Sequence, residues 1–326
     1  MKHYNVILIG AGQLGSRHLQ SLKAVNLPLT IHVTDPSSNS LETARERYDA
    51  VTPGKHKHSI VFTADLPQQS SPVDLAIIAT SANVRRQVVK QLLRVTQVRH
   101  FVLEKLLFQK QEDFSYVEKL LESNGSQAWV NCCMRMMPFY SSLKTKTKGP
   151  PLLYRVTGSQ YGLVTNAIHY IDHIAYLTNC YDYSVETKYL DPNPIESKRL
   201  GFLEFNGILE THFSDGSHGT FVCYPKGNVP IQVEIASENF RCISRESEGK
   251  AWVSESANNW QWEEKEARIP FQSEMTTALV EEILTTGKCN LTPYSQSTKL
   301  HLPLLNSLLS FLNKHNQKKF NYYPFT

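Results

Sequence analysis

Residues 5–15 read NVILIGAGQLG. Val6, Ile7, Leu8 and Ile9 form a short apolar run, β-branched except for Leu8 and ended by glycine. The run is too brief for a buried helix and reads as a strand buried on both faces, as in a parallel sheet. Gly10, Gly12 and Gly15 then give the spacing G-x-G-x-x-G. The first glycine permits a tight turn, the second lets backbone approach a pyrophosphate, and the third lets the next helix sit close to the strand. That helix is expected over about 13–25, with Gln13 and Leu14 in its first turn and its N–H groups toward the phosphates. A second strand over 29–34 ends at Asp35, about where a carboxylate would bind a ribose 2′-hydroxyl. The competing reading of Asp35 is a helix N-cap before Pro36.

Working outward, the chain alternates strands and helices as far as about residue 133. Helix 40–48, strand 59–62, strand 73–79, helix 84–96, strand 100–103, helix 114–123 and strand 128–132 follow in turn. This pattern predicts a doubly wound parallel sheet. Thr80, Ser81 and Asn83 follow the 73–79 strand, at a carboxyl end where ligands of such sheets bind. Simple N-capping by Ser81 or Asn83 is compatible with that role. Beyond Arg135 the texture changes. A helix over 138–145 is followed by a break at Gly149-Pro150-Pro151, a strand over 152–159 and an amphipathic helix over 166–177. Seven β-type runs come next, starting at 184, 208, 219, 231, 240, 251 and 260, punctuated by turns such as Asp215-Gly216. They predict a large open, mostly antiparallel sheet. Helices over 273–286 and 295–315 close the chain. The expected domains are 1–133, which binds a dinucleotide, and 134–326, which carries substrate and oligomer contacts; the last helix is expected to return near the first.

Bulk properties set limits. The chain has 326 residues, 41% hydrophobic and 20% charged, enough for two cored domains. A net charge of +4 argues against a dedicated nucleic-acid surface. The run Lys55-His56-Lys57-His58 reads as a solvated loop. Six scattered cysteines without C-x-x-C, no leading signal segment and no membrane-length apolar run lead to the expectation of a cytoplasmic protein outside the membrane.

Two places could supply proton-transfer chemistry. Glu104-Lys105 directly follows a parallel strand; both residues are expected at the cofactor, and the lysine would point toward the interdomain cleft and could hydrogen-bond a reacting oxygen. A surface ion pair is the alternative. The second is NAIHYIDH, residues 166–173, where Asn166, His169, Asp172 and His173 recur at three- and four-residue spacings and share one helix face. His169 is the natural proton exchanger, with Asp172 to orient its ring. His169 and His173 also have metal-ligand spacing, but no further ligand cluster accompanies them, and His173 reads as a packing or capping residue. A merely structural polar face is the other alternative.

With these residues on the page, the chain resembles the Gfo/Idh/MocA oxidoreductases, the glucose-fructose oxidoreductase and inositol dehydrogenase group. The resemblance rests on GAGQLGSRH (10–18), Asp35-Pro36, IIATSAN (77–83), Glu104-Lys105, NCCMRMMP (131–138) and NAIHYID (166–172). It implies a Rossmann domain followed by an open-sheet domain that often dimerises. It also implies NAD or NADP as cofactor and interconversion of hydroxyl and carbonyl groups on sugars and cyclitols. By resemblance, Lys105 matches the lysine of a Glu-Lys-Pro motif, His169 the catalytic histidine, Asp172 the acid one turn later, and Arg135 an arginine near substrate. Three positions depart from the pattern. Leu106 replaces the proline, Thr165 stands where an aspartate is common, with Asn166 beside it as a substitute for that carboxylate, and Arg85 stands where a histidine is common. The reading is therefore an NAD-dependent oxidoreductase of a secondary alcohol, NADP being disfavoured by Asp35. Its rivals are a dinucleotide-binding sensor without chemistry and a reductase of C=N or C=C bonds.

Overall fold

The computed structural model describes residues 3–66, 71–147, 149 and 151–326; Pro150 of the expected break lies outside them. The chain divides into two compact units.

The first unit comprises 1–108, 112–131 and 270–294. Its sheet uses β1 (Tyr4–Ile9), β2 (Leu29–Thr34), β3 (Ser59–Thr63), β4 (Val73–Ile78), β5 (Val98–Leu103) and β6 (Gln127–Val130), all parallel. Between them lie α1 (Gln13–Leu22), α2 (Ser38–Asp49), α3 (Ala82–Val95) and α4 (Gln111–Ser123). The spatial order is β6-β5-β4-β1-β2-β3. β1 therefore has the first-formed strands on one side and the later ones on the other, which makes the gap between β1 and β4 the topological switch point. Val6, Ile7, Leu8, Ile31, Val33, Leu75, Ile77, Phe101 and Val102 are buried, as a two-sided parallel sheet requires.

The second unit comprises 109–111, 132–269 and 295–326. It holds α5 (Pro138–Ser142), β7 (Leu153–Ser159), α6 (Leu163–Thr178), β8 (Tyr183–Leu190), a small hairpin of β9 (Ile195–Glu196) and β10 (Leu203–Glu204), β11 (Gly207–Phe213), β12 (His218–Tyr224), β13 (Gln232–Ala236), β14 (Phe240–Arg245), β15 (Lys250–Glu255) and β16 (Trp262–Glu266). The large sheet runs β16-β15-β14-β13-β7-β12-β11-β8, antiparallel except for the β7–β12 pair. The 138–145 helix is shorter than expected: α5 ends at Ser142 and a 3₁₀ turn, Leu143–Thr145, continues it.

The chain then returns to the first unit through α7 (Gln272–Thr286) and β17 (Thr292–Pro293), an antiparallel edge on β6. α7 is fixed to α1 by polar contacts: Thr276 Oγ1 to His18 Nδ1 at 2.8 Å and Ser21 Oγ to the Thr277 N–H at 2.7 Å. Sequence reading placed this segment with the second domain, because the apolar stripe Leu279, Val280, Ile283 and Leu284 predicts a helix but not the element it packs on. The closing helix, α8 (Tyr294–His315), groups with the second unit from Ser295 onward. Among the described residues no helix is long and apolar enough to cross a membrane and no disulfide joins the cysteines.

Candidate active site

The glycine turn is built as its spacing implies, and each glycine has its own reason. Gly10 sits at φ +93°, and a Cβ there would lie 2.9 Å from the backbone of Ala79 and Thr80. At Gly15 a Cβ would fall 1.7 Å from the Gly10 carbonyl oxygen, so only glycine lets α1 approach the turn. A Cβ on Gly12 would meet nothing within 4 Å. Gly12 is the N-cap of α1, has no side-chain cap bond and is exposed together with Gln13, while Leu14 is half-buried. The first-turn N–H groups of α1 thus border open space, the arrangement that binds anions. Arg47 of α2 braces the turn, donating to Ser16 Oγ at 2.6 Å and to Gln13 Oε1 at 2.9 Å.

Asp35 ends β2. Its Oδ2 accepts the Ala11 N–H at 2.7 Å and its Oδ1 the Ser37 N–H at 2.8 Å. The N-cap of α2 is Ser37, whose hydroxyl accepts from the Ser40 N–H, so the capping alternative for Asp35 falls away. A carboxylate has about four lone-pair directions, and these two bonds leave acceptor capacity for a diol.

Across the switch point, Thr80 carries a buried Oγ1 with no hydrogen-bond partner among the described residues. Buried polar atoms are rarely left so, and a bound ligand would satisfy it. Ser81 is the N-cap of α3, yet its hydroxyl donates to Asn83 Oδ1 at 2.6 Å rather than to the helix. The open Gly12 edge, Asp35 and the orphaned hydroxyl together fit a dinucleotide.

Glu104 follows β5 and is buried. His18 Nε2 lies 3.0 Å from its Oε1, and the Asn131 amide donates to the same oxygen at 2.6 Å. Burial raises its pKa, but the hydrogen bond and charge of His18, the Asn131 amide and the Lys105 ammonium outweigh that and hold it at about 2. Glu104, expected at the cofactor, is thus held as an internal anchor by His18 and Asn131. Lys105 is different: from 101 to 108 every residue is buried except Lys105. The Lys105–Leu106 peptide is cis.

In the second unit, α6 divides the expected polar face in two. Thr165, Asn166 and His169 are half-buried, whereas Asp172 and His173, farther along, are fully buried. Arg135 was expected at the substrate. It is instead buried and holds Asp172 with both arms, Nε to Oδ2 at 2.8 Å and Nη2 to Oδ1 at 3.1 Å. Asp172, expected among the catalytic groups, is fully buried and does not reach a solvent-facing surface. His173 packs between tyrosines, with Nδ1 3.0 Å from the Tyr154 hydroxyl and Nε2 3.2 Å from the Tyr140 carbonyl. Burial pushes its pKa down to about 3, so the ring is neutral.

Asn166 donates through Nδ2 to the Tyr161 and Gly162 carbonyls at 2.5 and 3.1 Å, which secures the turn into α6. The carboxylate that Thr165 lacks is supplied from elsewhere. Glu204 of β10 accepts the Val164 and Thr165 N–H groups at 2.8 and 3.0 Å and the Thr165 hydroxyl as well. No sequence signal places a residue 39 positions away at that helix start. Beside it opens a cavity of about 560 Å³, lined by Tyr161, Thr165, Asn166, Asn193, Arg199 and Glu204 among others. The Tyr161 hydroxyl is buried and has no partner among the described residues.

Comparison with known proteins agrees with this architecture. Residues 4–132 match the Gfo/Idh/MocA family, described as an oxidoreductase family with an NAD-binding Rossmann fold. The first unit is therefore an NAD-binding Rossmann domain. Among solved structures, an oxidoreductase from Agrobacterium radiobacter in complex with NAD+, L-tartaric acid and magnesium superposes with a TM-score of 0.70 at 14% identity, over 93% of this chain and 94% of that one. UDP-N-acetylglucosamine 3-dehydrogenase GnnA from Acidithiobacillus ferrooxidans gives 0.70 at 12% identity, over 96% and 100%. The dehydrogenase MviM from Clostridium difficile gives 0.70 at 14%, over 95% and 100%. These identities speak for the fold alone. No curated protein matches by sequence.

Proposed function

We propose that this chain is an NAD-dependent oxidoreductase that interconverts a secondary hydroxyl and a carbonyl on a sugar, nucleotide sugar or cyclitol. The observation that carries the reading is Lys105, the single half-open residue in an otherwise buried stretch, set directly beyond a strand of the dinucleotide domain. Such a position suits a group that meets a ligand. Dehydrogenases among the structural neighbours support the class, one of them named for a nucleotide sugar.

The α1 N-terminus at Gly12 and Gln13 would hold the pyrophosphate, Asp35 the ribose hydroxyls, and Thr80 a polar atom of the nucleotide. A bound nicotinamide supplies the hydride acceptor. His169 takes the hydroxyl proton as the carbon loses hydride, and the Lys105 ammonium stabilises the negative charge that develops on the oxygen. The reading requires both groups to reach the same substrate oxygen. Asp172 is then a positioning residue, itself fixed by Arg135. The cavity at the start of α6, one turn before His169, has the size that encloses a drug-sized ligand, and its amides, hydroxyls and charges of both signs suit a polyhydroxylated one.

The test is reduction of NAD and of NADP under matched conditions with a panel of sugars, nucleotide sugars and cyclitols. Turnover with NAD preferred is expected. A clear NADP preference would contradict the role of Asp35, whose charge repels a 2′-phosphate. Dinucleotide binding without turnover on any compound would favour a sensor. We also propose self-association through the open sheet, where Leu153, Tyr189 and Tyr224 are 62%, 55% and 44% exposed. Analytical ultracentrifugation showing only monomer would refute it.

A further inference from the structure

α3 carries a residue that the chemistry above does not use. Arg85 is completely buried, and its guanidinium points out of its own helix to main-chain carbonyls of two separate loops. Nη1 donates to the carbonyls of Leu106 and, at 2.7 Å, Leu107; Nη2 donates to the carbonyl of Thr80. One loop is the turn after β4 that holds the orphaned Thr80 hydroxyl. The other is the backbone immediately following Lys105. Leu106, Leu107 and Phe108 are buried just beyond the last β5 residue, so their carbonyls need donors that the sheet does not supply.

We propose that Arg85 is a positioning residue that locks the dinucleotide turn to the segment carrying Lys105, so that the two loops hold one geometry. The inference rests on the functional reading of those loops, but the linkage itself does not need turnover to be seen. Placing a guanidinium in the interior is costly unless its donors are used. A residue serving only to fill space between α3 and the sheet would be apolar. The planar fork is what the three carbonyls require: a lysine ammonium is a point charge without that fixed fan of donors.

The experiment compares wild type with Arg85→Met and Arg85→Lys by hydrogen–deuterium exchange and by NADH binding. In Arg85→Met, peptides covering 79–84 and 104–108 are expected to gain exchange together, while β2 keeps its protection. NADH affinity is expected to fall about tenfold, the effect of losing hydrogen bonds to a charged donor. Arg85→Lys should recover part of both effects, which a space-filling role would not produce. Two outcomes overturn the proposal. One is NADH affinity within about twofold of wild type, with both segments as protected as before. The other is loss of protection across the whole domain in both variants, which would make Arg85 a general core residue. If no substrate is ever turned over, the functional reading fails while these two measurements still decide the role of Arg85.

Discussion

Two glycines in one motif give opposite predictions at the residue scale. Gly15→Ala places a methyl group 1.7 Å from the Gly10 carbonyl oxygen, so backbone must move. The expected loss is about 3 kcal/mol or more, read as a lowered melting temperature of the first unit. Gly12→Ala meets nothing within 4 Å and should leave melting within about 0.5 kcal/mol of wild type. Its methyl would occupy the space reserved for phosphates, so NADH affinity should fall about tenfold. The motif announces both glycines in sequence; only the structure tells which one has no room for a side chain and which one does. Lys105 and His169 were legible as candidates, the one by its place directly after a strand and the other by its spacing along a helix face. Glu204 was not, since it reaches the start of α6 through chain topology. The partner of Arg135 was equally hidden: sequence places Arg135 and Asp172 37 positions apart with nothing to connect them.

At the scale of elements, α6 shows how a polar helix face is divided between two tasks. Its first turns stay half-open, and its later turns are clamped by Arg135 and by the tyrosines around His173. Arg135→Met leaves the Asp172 carboxylate buried without its guanidinium and should destabilise the second unit by roughly 3–5 kcal/mol. The double change Arg135→Met with Asp172→Leu should recover part of that loss in the same thermal scan, because no charge is then stranded. An equal or greater loss in the double variant would mean that shape, rather than charge, governs the contact. Strand and helix positions were readable from apolar periodicity almost throughout, from β1 to α8. The β9–β10 hairpin and β17 were missed, each strand being only two residues long and below the length at which alternation can be seen. The membership of α7 was missed because its apolar stripe announces a helix without naming the element it packs on.

For the whole molecule, two buried groups set an acid limit. His173 has a pKa of about 3 when folded against 6.5 when free. Between those values the unfolded chain binds more protons, so stability falls as pH drops below 6.5. Glu104 at about 2, against 4.5 when free, adds stability that is complete above 4.5 and lost as pH falls toward 2. Going from pH 6.5 to 5, His173 alone should remove about 2 kcal/mol from the second unit. Native-state hydrogen exchange of α6 checks this, and His173→Leu should flatten the pH dependence in that interval even though it lowers stability overall. The proposed function rests on one claim, that Lys105 of the first unit and His169 of the second serve the same reaction. Its most direct measurement is hydride transfer to NAD by wild type, Lys105→Met and His169→Ala on the best compound from the sugar panel, with NADH affinity determined in parallel. Each variant is expected to lose about 10²–10⁴-fold in turnover while binding NADH within about twofold of wild type. His169→Ala turning over at the wild-type rate would contradict the claim.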